Sequence, residues 1–254
     1  MTSSYRIGCV PYLNGVPLSA WFESSDCSFD LSINYQVPSQ LAANLRAGNL
    51  DVAMVSIFES FQNPNIAIVP NISVSADGSV KSVRLFSKKT FKDIRTVALD
   101  TSSLTSAALT RIVLAELIDI KPVYFSMPPN PEEMLKECDA CLIIGDLKLF
   151  DSPATHILDL GQAWKELTGL PFVYAAWLET LPPKQDLHEI LLASKEWGLR
   201  NLEQLAKESS RKMNLPLSQT REYLFDIMQY DLSAIKQEAI NLFREKCIRH
   251  HLIR

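Results

Sequence analysis

Glycine is scarce in this chain, with eight in 254 residues and no GxGxxG spacing among them. A nucleotide held by a glycine-rich phosphate loop is therefore not expected. Basic charge is short as well: 25 Lys and Arg face 29 Asp and Glu, for a net charge of −4. Nucleic-acid binding calls for a basic face, so no nucleic-acid partner is expected. An anion bound by such a protein has to be gripped by local donors rather than by the overall field. No run approaches the roughly 18 apolar residues of a membrane-crossing helix, which argues against a membrane partner. The opening "MTSSYRIGCVPYL" lacks a charged n-region and a long apolar h-region, so it does not read as a signal peptide. The four histidines, His156, His188, His250 and His251, are scattered, and none has a ligand partner four residues on. Neither a metal site nor a histidine base is expected from them. Cysteines are five, an odd number, and read as reduced thiols in a cytoplasm. Cys138 and Cys141 have CxxC spacing, but there is no second pair, and the motif enters a strand instead of opening a helix. A structural role is expected for both.

What is present is an ordinary globular composition, 47% hydrophobic and 21% charged. The length suits one large domain or two smaller ones and needs no disulfide or metal staple. Apolar runs at Tyr5–Val10, Leu31–Val37 and Leu50–Ser56 read as strands. Ser39 reads as the cap of a helix over Gln40–Ala47, with Gly48 closing it. "IAIVP", "VSADG" and "KSVRLFSKK" read as strand, turn and strand. A new unit starts near Arg95. "TVALD", "PVYF", "ACLIIGD" and "PFVYAAWL" are strands, while "TSSLTSAALTRIVLAEL", "PEEMLKE" and "DLGQAWKELTG" are helices. The cluster of Trp164, Phe172, Tyr174 and Trp177 reads as core. From Asp186 to Cys247 four amphipathic helical segments follow. The alternation gives an α/β class, with mixed sheets flanked by helices in two lobes. The expected division is 1–88 plus 180–254 for the first lobe, including the C-terminal helices, and 89–179 for the second. The chain is expected to cross near Phe86–Phe91 and again near Trp177–Pro183, with a ligand cleft between the lobes.

Ligands of open α/β sheets bind beyond the carboxyl ends of the strands. Those ends carry "PYLNG" with Tyr12 and Asn14, then Ser56, then "TSSLTS", then Gly145 and Asp146. Thr101–Ser106 holds five hydroxyls in six residues at a helix start, where unpaired N–H groups and the helix dipole favour an anion. Ser102, Ser103, Thr105 and Ser106 are the candidates there. Asn14 has two readings, a turn residue beside Gly15 or a ligand contact, and local chemistry leaves both open. Ser82 and Arg84 lie two apart on a strand, where arginine can grip a carboxylate in two-pronged fashion or sit on a solvated edge.

Six stretches carry a resemblance: "YLNGVPL", "GNLDVAMVS", "VSADGSVKSVRLFSK", "VALDTSSLTSAALTRIVL", "CLIIGDLKL" and "LDLGQAWKELTGLPFVYAAW". With them the chain resembles the chorismate dehydratase family of the futalosine route to menaquinone, over nearly its whole length. Leu104 and Lys148 depart from that family's pattern. The resemblance implies a two-lobed fold like type II periplasmic binding proteins, but cytoplasmic and catalytic, monomeric or homodimeric, with no cofactor and no metal. The implied reaction is a hydro-lyase step that removes water from chorismate to give 3-[(1-carboxyvinyl)oxy]benzoate, with the substrate's own carboxylate as base. It implies Asn14 and Ser82 as catalytic contacts. Tyr12, Ser56, Arg84, Ser102, Ser103, Thr105, Ser106 and Gly145 become substrate-binding, and Asp146 a residue that positions its neighbours. Two other readings share the fold: a non-catalytic binding protein for a small carboxylate, and the sister 1,4-dihydroxy-6-naphthoate synthase.

Overall fold

The computed structural model describes residues 5–102, 104–145 and 155–253. Contacts divide the chain into two units, Met1–Ser75 with Tyr174–Ser233 and Ala76–Val173 with Ala234–Arg254. The first unit is built on a sheet containing β1 (Tyr5–Cys9), β2 (Leu31–Tyr35), β3 (Val52–Ser56), β4 (Ile66–Ala76), β10 (Phe172–Thr180) and β11 (Met228–Gln229). Its strand order is β11-β4-β10-β3-β1-β2. β1 lies parallel to both neighbours, with Ile7 against Val52 and Tyr5 against Leu31, while β10 runs antiparallel to β3. Every residue of β3 is buried, as a continuous apolar run in a central strand requires.

Helices α1 (Val16–Ser19), α2 (Pro38–Arg46), α3 (Glu59–Gln62), α7 (Gln185–Arg200), α8 (Leu202–Met213) and α9 (Leu217–Arg221) belong to the same unit. α2 opens on Pro38 in its first turn, after Val37, so no Ser39 cap forms. Trp177 is fully buried and meets Phe22 edge-on, with ring centroids 6.3 Å apart. β4 is longer than the "IAIVP" stretch suggests, because Ser73 and Ser75 bond across to the Met228–Asp231 segment. The Ser73 N–H donates to the Tyr230 carbonyl at 3.2 Å, and Ser75 Oγ to the Gln229 carbonyl at 3.0 Å.

The second unit has a five-stranded sheet of β5 (Val83–Ser87), β6 (Thr96–Asp100), β7 (Val123–Met127), β8 (Ala140–Ile144) and β9 (His156–Asp159), in the order β7-β6-β8-β5-β9. α4 (Leu104–Glu116), α5 (Pro131–Glu137), α6 (Leu160–Thr168) and α10 (Ala234–Arg249) flank it. Asn130 caps α5 and Pro131 sits in its first turn. Asp159 caps α6 by accepting from the Gly161 and Gln162 N–H groups at 3.0 and 3.1 Å. Cys138 and Cys141 pack with Phe86, Ala98, Met134 and Ile143 in the core. Burial pushes the Cys141 thiol up to about 12, as befits an unreactive core cysteine.

The boundaries differ from those expected in three places. Residues 76–88 join the second unit, because β5 pairs with β8 and β9. Tyr174 to Glu179 join the first, because β10 pairs with β3. The last helix, α10, belongs to the second unit instead of covering the first. Phe243 meets the Phe172 ring at 5.0 Å and the Trp164 ring at 5.9 Å, and Lys246 pairs with Glu116. The crossings fall at Ser75–Ala76, Val173–Tyr174 and Ser233–Ala234, three in place of the expected two.

Candidate active site

In the first unit the candidate groups collect where β1 and β3 end. The parallel register sets Gly8 against Ala53, so Ser56, the last residue of β3, lies level with Pro11. Beyond Pro11 the chain makes a 3-10 turn, Leu13–Gly15, in which the Gly15 N–H donates to the Tyr12 carbonyl at 3.0 Å. Asn14 is half-buried at the middle of that turn. Among the described residues no hydrogen bond involves its side chain, so side-chain turn chemistry is not what places it there. The turn is braced from behind. Ser19 Oγ donates to the Gly15 carbonyl at 3.2 Å, and Ser194 Oγ, on α7, donates to the Leu18 carbonyl at 2.9 Å. α7 also presses Gly198 onto Pro17: a Cβ there would stand 1.8 Å from the Pro17 carbonyl oxygen. Tyr12 is half-buried in the same loop.

In the second unit five of the expected positions lie at one end of the sheet. The Gly145 N–H donates to the Ser82 carbonyl at 3.0 Å, where β5 begins and β8 ends. Gly145 has φ 91, a conformation that a side chain disfavours. β8 and β6 are parallel, with Ala98 against Cys141, so the Ser82–Gly145 pair lies level with Ser102. Thr105 and Ser106 occupy the first turn of α4, 1% and 3% exposed. Leu104 points outward at 45% exposure. The turn leading into Ser82 is fixed by Asp159, which accepts from the Val80 and Lys81 N–H groups at 3.1 and 2.8 Å and from Ser79 Oγ at 2.8 Å. Ser103 and Asp146 lie outside the described residues.

Two positions look different from their sequence-based reading. Arg84 sits deeper in β5, level with Asp159, whose carboxylate oxygen is 4.0 Å from its Nε. A carboxylate of the protein thus already lies near that guanidinium. At Ser102 the N–H and the hydroxyl both donate to Oδ1 of Asp100, the last residue of β6. Asp100 was not among the residues expected at the site. It is 2% exposed, and its Oδ2 has no hydrogen-bond partner among the described residues. Burial pushes its carboxyl above the ordinary range, against the opposing pull of the two Ser102 bonds and the nearby Ile144 amide. The signal for it is an acidic residue closing an apolar strand just before a hydroxyl-rich helix start.

A family model described as menaquinone biosynthesis matches residues 5–249. The chain belongs to this family. Its curated relatives include a chorismate dehydratase from Thermus thermophilus, 27% identical over 95% of this chain and 94% of the relative. A chorismate dehydratase from Campylobacter jejuni is 26% identical over 94% of this chain and 96% of that one. Among solved structures, a protein from Archaeoglobus fulgidus superposes with a TM-score of 0.77 at 16% identity, covering 98% of both chains. The alkanesulfonate-binding protein SsuA from Xanthomonas axonopodis, bound to MOPS, superposes with a TM-score of 0.68 at 17% identity, over 99% of this chain and 94% of that one. These two likenesses establish a periplasmic-binding-protein-like fold for this member of the menaquinone biosynthesis family. No helix among the described residues is long and apolar enough to cross a membrane.

Proposed function

We propose that this member of the family is a cytoplasmic chorismate dehydratase, a hydro-lyase that converts chorismate to 3-[(1-carboxyvinyl)oxy]benzoate and water. The observation that carries the reading is the family match over 5–249 together with two full-length relatives bearing that name. The chemistry of the candidate groups supports it. One proton leaves a ring carbon, the hydroxyl departs from the neighbouring carbon, and the ring becomes aromatic. Aromatisation supplies the driving force, so the protein's task is to hold a dianion in a reactive shape. Ser82, Thr105 and Ser106 are hydroxyl groups at strand and helix ends, suited to carboxylates without a cationic partner. Asn14 is assigned to the departing hydroxyl or its orientation, with Tyr12 and Ser56 lining its side. Gly145 serves through its backbone, and Arg84 acts through Asp159 more than through a substrate carboxylate. A carboxylate of the substrate takes the ring proton.

Incubating the purified protein with chorismate and following products by mass tests the assignment. Loss of one water with the appearance of an aromatic spectrum is expected. Chorismate bound but recovered unchanged would instead support a non-catalytic binding protein, and a different product would point to the sister naphthoate synthase.

A further inference from the structure

We propose that a cavity behind the Asn14 loop is a second ligand site, built for a protonated organic amine. The cavity holds about 830 Å³ and lies wholly within the first unit. Val10, Val16 and Ser19 line it from the loop side, and Trp197, Leu205 and Ser209 from α7 and α8. Its volume suits a small molecule. Tyr12, Asn14 and Ser56 do not line it. It is therefore separate from the groups assigned to chorismate, and the inference does not rest on that assignment.

The chemistry of the occupant follows from which polar groups are still open. The neutral donors around the cavity are largely spent on the protein itself. The Ser19 and Ser24 hydroxyls donate to the Gly15 and Trp21 carbonyls at 3.2 and 2.8 Å. Trp197 Nε1 donates to Asp26 at 2.6 Å, Gln204 Nε2 to Glu208 at 2.8 Å, and Asn201 Nδ2 to the Trp197 carbonyl at 2.8 Å. What remains is mostly acceptors. The exposed carboxylates of Glu23, Asp26 and Glu208 face a single ammonium, that of Lys212. Deeper in, Ser209 is 5% exposed, and its hydroxyl makes no hydrogen bond among the described residues. A buried hydroxyl left open in this way calls for a partner. Tyr35 and Trp197 add ring faces, which attract a cation. Burial first, then Cys9 and Glu23, push the Tyr35 phenol up to about 12 against the opposing pull of Ser19, so Glu23 and that ring act on the same space. An anion would meet three carboxylates here, and a neutral polyol would find few donors. An amine brings the positive charge, the N–H groups and an apolar body for the rings.

The probe is phenethylamine, with phenethyl alcohol and hydrocinnamate as its neutral and anionic counterparts of similar shape. The Trp197 indole N–H reports on the cavity, because it bonds Asp26 there. In the proton–nitrogen correlation spectrum of the full chain, the amine should move the Trp197 signal saturably, with a dissociation constant of about 1 mM or tighter. The alcohol should bind at least about tenfold more weakly. Hydrocinnamate should leave the signal in place. Glu23→Gln and Glu208→Gln should each weaken amine binding by about three- to fivefold, the worth of one exposed ion pair. Both residues are exposed, so both variants keep the fold. Glu238→Gln, on α10, lies outside the lining and should change nothing. A Trp197 signal unmoved by about 10 mM amine overturns the inference. An alcohol that binds as well as the amine overturns it too, because the charge would then contribute nothing. So do Glu23→Gln and Glu208→Gln variants that both bind as tightly as wild type. The titration uses no chorismate, so its failure leaves the dehydratase reading standing.

Discussion

At the scale of single residues, the question for Asn14 is what an amide gains from standing at the mouth of β1. A turn asparagine bonds its own backbone two residues on, and among the described residues this side chain makes no such bond. Removing the amide should therefore cost the fold little. Asn14→Ala is expected to unfold at the wild-type denaturant midpoint while losing at least about tenfold in turnover, an effect of about 1.4 kcal/mol. Circular dichroism and a coupled-product assay on the same preparation separate the two effects. Turnover within twofold of wild type, an effect of about 0.4 kcal/mol, would return Asn14 to the turn reading. Its place after the first strand is visible in the order of residues. Asp100 was not, because its importance lies in what surrounds it: a carboxylate closing a strand is commonplace until its second oxygen proves to be shut away.

At the scale of elements, the Asn14 loop is held by α7, and the contact turns on one atom. Gly198 in the last turns of α7 lets the helix close on the Pro17 carbonyl; an added Cβ would lie 1.8 Å from its oxygen and 2.7 Å from its carbon. Alanine is the better helix former by about 1 kcal/mol, but so deep an overlap forces the helix or the loop to move. Overpacking of this kind costs about 1–3 kcal/mol, so the clash wins. Gly198→Ala should lower the urea midpoint and, by shifting the loop, cut kcat more than it raises KM. The elements most legible in the sequence are those with their own end signals. α5 runs from Pro131 to Glu137 as read, and α6 starts after Asp159 and stops before Gly169. Among the elements missed, β9 and β11 are short and exist through partners: β9 through β5, and β11 at the edge of its sheet beside β4. Gly198 itself reads only as a weak point in an amphipathic helix, since its reason lies in a carbonyl supplied by the other end of the chain.

At the scale of the whole molecule, the last helix decides how the chain is shared between its two units, and two sets of contacts compete for the credit. One is apolar: Phe243, 1% exposed, closes a ring triad with Trp164 and Phe172. The other is ionic. Glu116, at the end of α4, accepts from Lys246 and from His250, the latter at 2.8 Å. Burial pushes the Glu116 carboxyl up, but these two partners outweigh it and hold the group below its ordinary range. A buried aromatic truncated to alanine loses about 3–5 kcal/mol, whereas a partly exposed ion pair is worth about 1 kcal/mol or less. The rings therefore anchor α10, and Phe243→Ala should lower stability several times more than Glu116→Gln at pH 7. The ionic set leaves a different signature. A carboxyl whose folded pKa is depressed stabilises fully above its unfolded value of about 4.3 and loses that contribution as pH falls through the folded value. Denaturant midpoints should be flat near neutrality and fall below about pH 4, and Glu116→Gln should shallow that acid slope while Phe243→Ala leaves it unchanged. An acid slope identical in wild type and Glu116→Gln would mean that the cluster contributes nothing to holding α10.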